Sequence, residues 1–147
     1  MAEKVIKNAI ITSSVKVTEG VYNMWIKDKE LADNARPGQF VSLYCKEGSQ
    51  LLPRPISICE IDKENETLRL VYRVVGKGTE EFSKMNAGDT IRVMGPLGNG
   101  FTLEGKKAIA IAIGSSKEED FSTNGALSSI DSFCENSKMK LILKYQF

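Results

Sequence analysis

The chain has 147 residues, 41% of them hydrophobic and 27% charged, which is the size and apolar content of one ordinary domain able to bury a core without staples. Its 20 basic and 19 acidic residues leave a formal net charge of +1 with no long run of either sign, so a surface built to neutralise a phosphate backbone, and with it a nucleic-acid partner, is not expected. The sequence contains no histidine, which excludes imidazole acid–base catalysis, histidine metal ligation and a Ser-His-Asp triad.

Cys45, Cys59 and Cys134 are an odd number of cysteines, too widely spaced to ligate zinc or an iron–sulfur cluster from one loop, and they read as reduced thiols of a cytoplasmic protein. The first residues, Met1-Ala2-Glu3-Lys4-Val5-Ile6, lack the apolar core of a signal peptide. No stretch approaches the roughly 18 apolar residues of a membrane span. Membrane association is therefore not expected.

From Lys4 to about Met94 short apolar runs alternate with turn residues at period two, the pattern of antiparallel strands. Val15 and Val17 begin a strand that continues past the Glu19-Gly20 turn to Tyr22, Met24 and Ile26. After the Arg36-Pro37-Gly38-Gln39 turn, Val41, Leu43 and Cys45 share one face, and Phe40, Ser42 and Tyr44 the other. Residues 53–61 are extended. From Thr67 to Val75, Leu68, Leu70, Tyr72 and Val74 alternate with Thr67, Arg69, Val71, Arg73 and Val75. Asn86-Ala87-Gly88-Asp89 then turns the chain into a strand with Ile91 and Val93 inward. About six strands at this spacing predict a mainly β fold, a six-stranded antiparallel Greek-key barrel. One short helix interrupts it, with Thr79 as N-cap, Glu80 and Glu81 at the positive end of the dipole, and Phe82 and Met85 one turn apart.

At Gly95-Pro96-Leu97-Gly98-Asn99-Gly100 the grammar changes. Ala108 to Ile113 is continuously apolar, as in a strand covered on both faces. Leu127, Ile130 and Phe133 are spaced for a helix face, and Met139 to Tyr145 fit a second strand, giving a partial β-α-β fragment. The expected organisation is a barrel over residues 1–101 and a partial or divergent Rossmann-like fragment over 102–147.

Three segments carry chemistry. Arg54-Pro55-Ile56-Ser57-Ile58 can set a guanidinium fork against a phosphate while a hydroxyl reaches a heterocycle edge; the plain alternative is an edge strand with a solvated arginine. Val71-Tyr72-Arg73-Val74-Val75-Gly76-Lys77-Gly78-Thr79 is a strand feeding a glycine-rich turn into a helix start, where backbone N–H groups can meet a pyrophosphate; it also fits a simple strand–helix connection. Its spacing is not that of a Walker loop. In Gly95 to Phe101 four of seven residues are Gly or Pro, which on composition alone reads as a domain linker.

In this order and spacing, RPISI followed by LVYRVVGKGTEEFSKMNAGDTIRVMGPLGNGF resembles the FAD-binding domain of the electron-transfer subunit of dihydroorotate dehydrogenase, within the ferredoxin–NADP reductase superfamily. The likeness covers about residues 4–113. It implies that Arg54, Pro55, Ile56 and Ser57 contact the flavin and its phosphates, with Arg54 on the pyrophosphate and Ser57 near the reactive edge of the ring. It further implies that Val71, Tyr72 and Arg73 form a second FAD segment, and Gly78 and Thr79 a third. A flavoprotein's redox chemistry resides in its cofactor, which fits the missing histidine.

The resemblance also implies an electron route between NAD(H) and the FMN of a partner catalytic subunit in pyrimidine biosynthesis, through FAD and a [2Fe-2S] cluster. Here the sequence departs from the family. Gly114-Ser115-Ser116-Lys117-Glu118 stands where the family has a glycine-rich nicotinamide turn, which counts against NAD(H) binding by this chain. Beyond it only Cys134 remains where the family has a four-cysteine cluster loop, so the cluster is not expected here. The chain looks truncated, internally deleted or naturally divergent after residue 113, an oxidoreductase component rather than a complete enzyme. Alternative readings are a flavin-free barrel acting in protein interaction, and a subunit of a related sulfur- or ferredoxin-linked oxidoreductase. An exposed barrel edge and an unfinished β-α-β fragment would also favour self-association.

Overall fold

The computed structural model describes residues 6–46 and 51–100. The expected β-α-β fragment, with Ala108 to Ile113, Leu127, Ile130, Phe133 and Met139 to Tyr145, lies outside the described residues. The elements are β1 (Ile6–Thr18), β2 (Val21–Lys27), α1 (Lys29–Asn34), β3 (Phe40–Tyr44), β4 (Arg54–Asp62), β5 (Thr67–Arg73), α2 (Lys77–Ser83) and β6 (Thr90–Leu97). The strands close into one antiparallel barrel in the order β1-β2-β5-β4-β3-β6. Consecutive β3, β4 and β5 are neighbours, and β6 returns over α2 to lie beside β3, which is the Greek-key connection. Closure gives every described strand two partners. The free edge from which self-association was expected is therefore absent among them.

Alternation along the strands supplies the core. Met24 and Ile26 of β2, Val41 and Leu43 of β3, Leu68 and Leu70 of β5, and Ile91 and Val93 of β6 are all buried, together with Ala9 and Ile11 of β1. Each of the larger aliphatic side chains contributes about 1.5–3 kcal/mol relative to exposure. β1 is longer than the Val15 and Val17 pattern predicts. It begins at Ile6, changes register against β2 between Ile11 and Ser13, and leaves Val15 and Val17 exposed. A bulge shifts which residues of a strand face inward, so alternation cannot be carried across it.

The segment between Lys27 and Arg36, to which the periodicity assigns no element, forms α1. Asp28 Oδ1 accepts from the Leu31 backbone N–H at 2.8 Å as N-cap, and Leu31 and Ala32 are the buried face. Six residues contain too few turns for an apolar stripe to show in sequence. α2 starts three residues earlier than expected, with Gly76 rather than Thr79 as N-cap. The short helix plugs one end of the barrel: Phe82 is completely buried and meets the Tyr72 ring edge-on at 6.3 Å, and Tyr72 stacks on Tyr22 at 6.0 Å.

The Tyr72 hydroxyl is buried and has no hydrogen-bond partner. Burial raises its pKa above the ordinary value of 10.0, with Tyr22 adding to the shift. Because the folded state holds this proton more tightly than the unfolded state, the stability that it confers is present below the unfolded pKa and lost as pH rises above about 10. Tyr72→Phe is expected to stabilise the fold by about 1 kcal/mol at neutral pH, the order of an unsatisfied buried hydroxyl. It should also flatten the alkaline loss of stability; urea unfolding at pH 7 and pH 10.5 checks both, and a destabilised variant would contradict the burial argument.

Candidate functional site

At the end of the barrel closed by α2, the chain leaves β5 with the Val74 N–H donating to the Gly20 carbonyl at 2.7 Å, then turns through Val75 and Gly76 into the helix. Thr79, third residue of α2, is buried. Its Oγ1 accepts from the Val75 N–H at 2.9 Å and the Gly76 N–H at 3.2 Å, and donates to the Gly76 carbonyl at 3.1 Å. One donor and two acceptor sites are thereby all used, so the side chain shapes the turn. The first helical bond runs from the Glu80 N–H to the Gly76 carbonyl at 2.9 Å. The backbone N–H groups of Lys77, Gly78 and Thr79 precede it and have no partner within the helix.

Arg54, first residue of β4, folds over this turn. A Cβ at Gly78 would lie 2.7 Å from Arg54 Nε, 3.1 Å from Cγ and 3.3 Å from Cζ, closer than real contacts allow. Only glycine lets the guanidinium lie across the start of α2. The same side chain donates to the Leu52 carbonyl at 3.3 Å. Two motifs distant in sequence thus place a permanently charged planar fork beside backbone N–H groups, a donor set suited to a pyrophosphate. Glu81 Oε1 accepts from the Lys46 N–H at 2.6 Å, which ties the end of β3 to the same helix.

The sequence-predicted residues separate by face. Pro55 and Ser57 are exposed on the outside of β4, whereas Ile56 is half-buried and packs against the core. On β5, Tyr72 is buried, Val71 is half-buried and Arg73 is exposed. Gly78 and Thr79 are buried in the helix start. The β4–β5 ladder runs from Asp62 opposite Thr67 to Ile58 opposite Leu70. Both strands continue beyond it toward α2, β4 to Arg54 and β5 to Arg73, so the motif residues lie where the two strands meet the helix.

Two further groups escaped the motif reading. On the outer face Arg69 Nε donates to Asn23 Oδ1 at 2.8 Å, and its guanidinium pairs with Glu60 at 3.6 Å beside the buried Cys59, whose thiol is pushed up by burial and so stays neutral. Gln39 holds a second site together: its Oε1 accepts from the Arg36 N–H and its Nε2 donates to the Gly98 carbonyl, both at 2.8 Å. The composition-based reading of Gly95 to Phe101 as a linker is corrected accordingly. Gly95, Pro96 and Leu97 belong to β6, and a Cβ at Gly95 would sit 2.8 Å from Val41 Cγ1, so glycine there serves close packing.

Residues 4–101 match the family model described as the oxidoreductase FAD-binding domain. The electron transfer subunit of dihydroorotate dehydrogenase B (NAD(+)) from Enterococcus faecalis is 44% identical over 93 residues, covering 63% of this chain and 35% of the relative. That of Listeria monocytogenes is 43% identical over 94 residues, covering 64% and 37%. The chain therefore spans about a third of the length of these curated relatives. Among solved structures, an NADH-dependent reduced ferredoxin-NADP oxidoreductase superposes with a TM-score of 0.60 at 35% identity, over 71% of this chain and 38% of that one. A ferredoxin reductase of carbazole 1,9a-dioxygenase superposes at 0.62 with 18% identity, over 75% and 34%, which shows the shared fold.

Gly78→Ala isolates the contact between the motifs. Alanine favours a helix by about 1 kcal/mol over glycine, so the melting temperature should not fall, while the new Cβ displaces the Arg54 guanidinium. The expected result is a roughly tenfold rise in the dissociation constant for FAD, read by fluorescence titration. An unchanged constant would show that the guanidinium position does not matter.

Proposed function

This chain belongs to the oxidoreductase FAD-binding domain family, and from that premise we propose that its barrel holds FAD as the flavin module of a dihydroorotate dehydrogenase electron-transfer subunit. The observation that carries the reading is the Arg54 guanidinium lying on Gly78 at the start of α2. A pyrophosphate needs dispersed positive charge and several N–H donors at once, and this junction supplies both. When bound, the flavin passes electrons between two-electron and one-electron carriers.

The chain's own residues bind and orient it. Arg54 and the N–H groups of Gly78 and Thr79 take the pyrophosphate. Ser57, exposed on the outer face of β4, offers a hydroxyl to the polar edge of the ring system, with Pro55 and Ile56 fixing the strand that presents it. Val71 and Arg73 border the cofactor from β5, and Tyr72, its side chain buried, contributes through its backbone. In this reading residues 1–101 are the FAD-binding unit and 102–147 a partial or divergent nucleotide-binding segment. The electrons pass to or from the FMN of a catalytic subunit, with the [2Fe-2S] cluster and NAD(H) served outside the barrel, in the cytoplasm. The 44% identity to a dihydroorotate dehydrogenase B electron transfer subunit supports this choice over other members of the superfamily. Among the described residues no helix is long and apolar enough to cross a membrane.

Arg54→Ala tests the reading. Loss of charge-assisted hydrogen bonds to phosphate is expected to weaken FAD by about 1.5–3 kcal/mol, measured as the dissociation constant by flavin fluorescence. Equal affinity of variant and parent would remove the assignment.

A further inference from the structure

Phe40 is the first residue of β3 and stands directly opposite Ser57 of β4 on one side and Leu97 of β6 on the other. Ser57, Phe40 and Leu97 thus form a lateral row across three adjacent strands. By alternation Phe40 lies on the outer face, opposite to that of the buried Val41 and Leu43, yet it is half-buried rather than exposed. On the β6 side Gly98 lies beside its ring. A Cβ built there would come within 3.4 Å of both Phe40 Cδ1 and Cε1, and Gly98 has φ +87°, a conformation that side-chain-bearing residues avoid. The ring therefore leans toward β6 over a position that only glycine fills without strain. A side chain at 98 would touch the ring and would have to adopt a backbone conformation that L residues rarely take.

Neighbouring groups fix this arrangement from both ends. Gln39, the residue before Phe40, grips the Gly98 carbonyl through Nε2 and the Arg36 N–H through Oε1. The Gln39 carbonyl accepts the Ile58 N–H at 3.1 Å, which locks the start of β3 to β4 one residue beyond Ser57. A Cβ at Gly100, where φ is +73°, would approach the Pro37 carbonyl oxygen to 3.0 Å, so the glycine segment is held against the 36–39 turn at a second point. An aromatic ring on an outer face, set by two hydrogen bonds and a glycine platform beside an exposed hydroxyl, is more elaborate than a solvent-facing phenylalanine requires.

We infer that Phe40 is a flavin-facing residue, an apolar wall for the ring system whose polar edge Ser57 meets, and that Gln39 and Gly98 position its ring. The inference rests on the proposed FAD site and extends it to β3, onto a residue outside the three motif segments. An aromatic wall adjacent to a flavin supplies dispersion and ring-to-ring contact, and it sets the polarity in which the ring absorbs light. A purely structural Phe40 would do neither.

The experiment loads the full chain with FAD and compares the parent with Phe40→Leu, which keeps most of the apolar volume, and Phe40→Ala. Each is assayed by FAD titration, by the position and fine structure of the long-wavelength flavin absorption band, and by thermal melting without FAD. Both variants are expected to shift the band and to raise the dissociation constant, by about two- to tenfold for Phe40→Ala. Arg54→Ala should weaken binding without moving the band. Phe40 variants that melt lower but keep the parent's band and affinity would overturn the inference while leaving the flavin site intact. A parent chain that takes up no FAD would overturn the proposed function and this inference together.

Discussion

The contact between Arg54 and Gly78 is the constraint around which the described structure is organised. A guanidinium can lie against a helix start only if the residue beneath it has no side chain, and only if the helix is held still. The second condition is met by Thr79, whose hydroxyl ties the turn before the helix, and by Phe82, which drives the next turn into the barrel between Tyr72 and the core. A helix of seven residues would not persist alone; tertiary burial of its apolar face holds it in place. The same packing that closes the barrel end thus presents the backbone N–H groups.

The rest of the barrel positions the other half of the contact. Closure fixes the register of β4 between β3 and β5, and a slip of one residue would exchange its faces, moving Ser57 inward and Ile58 outward. The ladder to β5 ends at Ile58, so the beginning of β4 is registered by β3 alone, with Leu43 opposite Arg54 and Phe40 opposite Ser57. That places the Gln39 and Gly98 bonds, which hold the start of β3, in the same mechanical chain as the arginine. Membership of a flavoprotein family, the absence of histidine and a donor set matched to pyrophosphate are consistent with one another: the protein contributes position and electrostatics, and a bound cofactor contributes redox chemistry.

Much of this was legible in the residues. Strict alternation in β3, β5 and β6 identified the buried faces because each strand has one side on the core, and the chained motifs identified the family because their order and spacing are restrictive. What was not legible has specific causes. The register change in β1 lies between residues with no turn signal, so the strand reads as beginning at Val15, whereas it begins at Ile6 and leaves Val15 and Val17 exposed. α1 is set by a single capping aspartate over six residues. Thr79 has the chemistry of an N-cap, but its hydroxyl reaches back three residues to cap from inside the helix. The glycines of residues 95–100 suggested a linker by composition, whereas their positions are dictated by Val41, Phe40 and Pro37, contacts from which sequence distance gives no hint.

The most direct test of the account is the visible absorption spectrum of the purified chain after incubation with FAD and gel filtration. The account predicts that the protein fraction carries the bands of oxidised flavin at close to one equivalent per chain. A colourless protein fraction, with all the FAD eluting in the small-molecule volume, would contradict it.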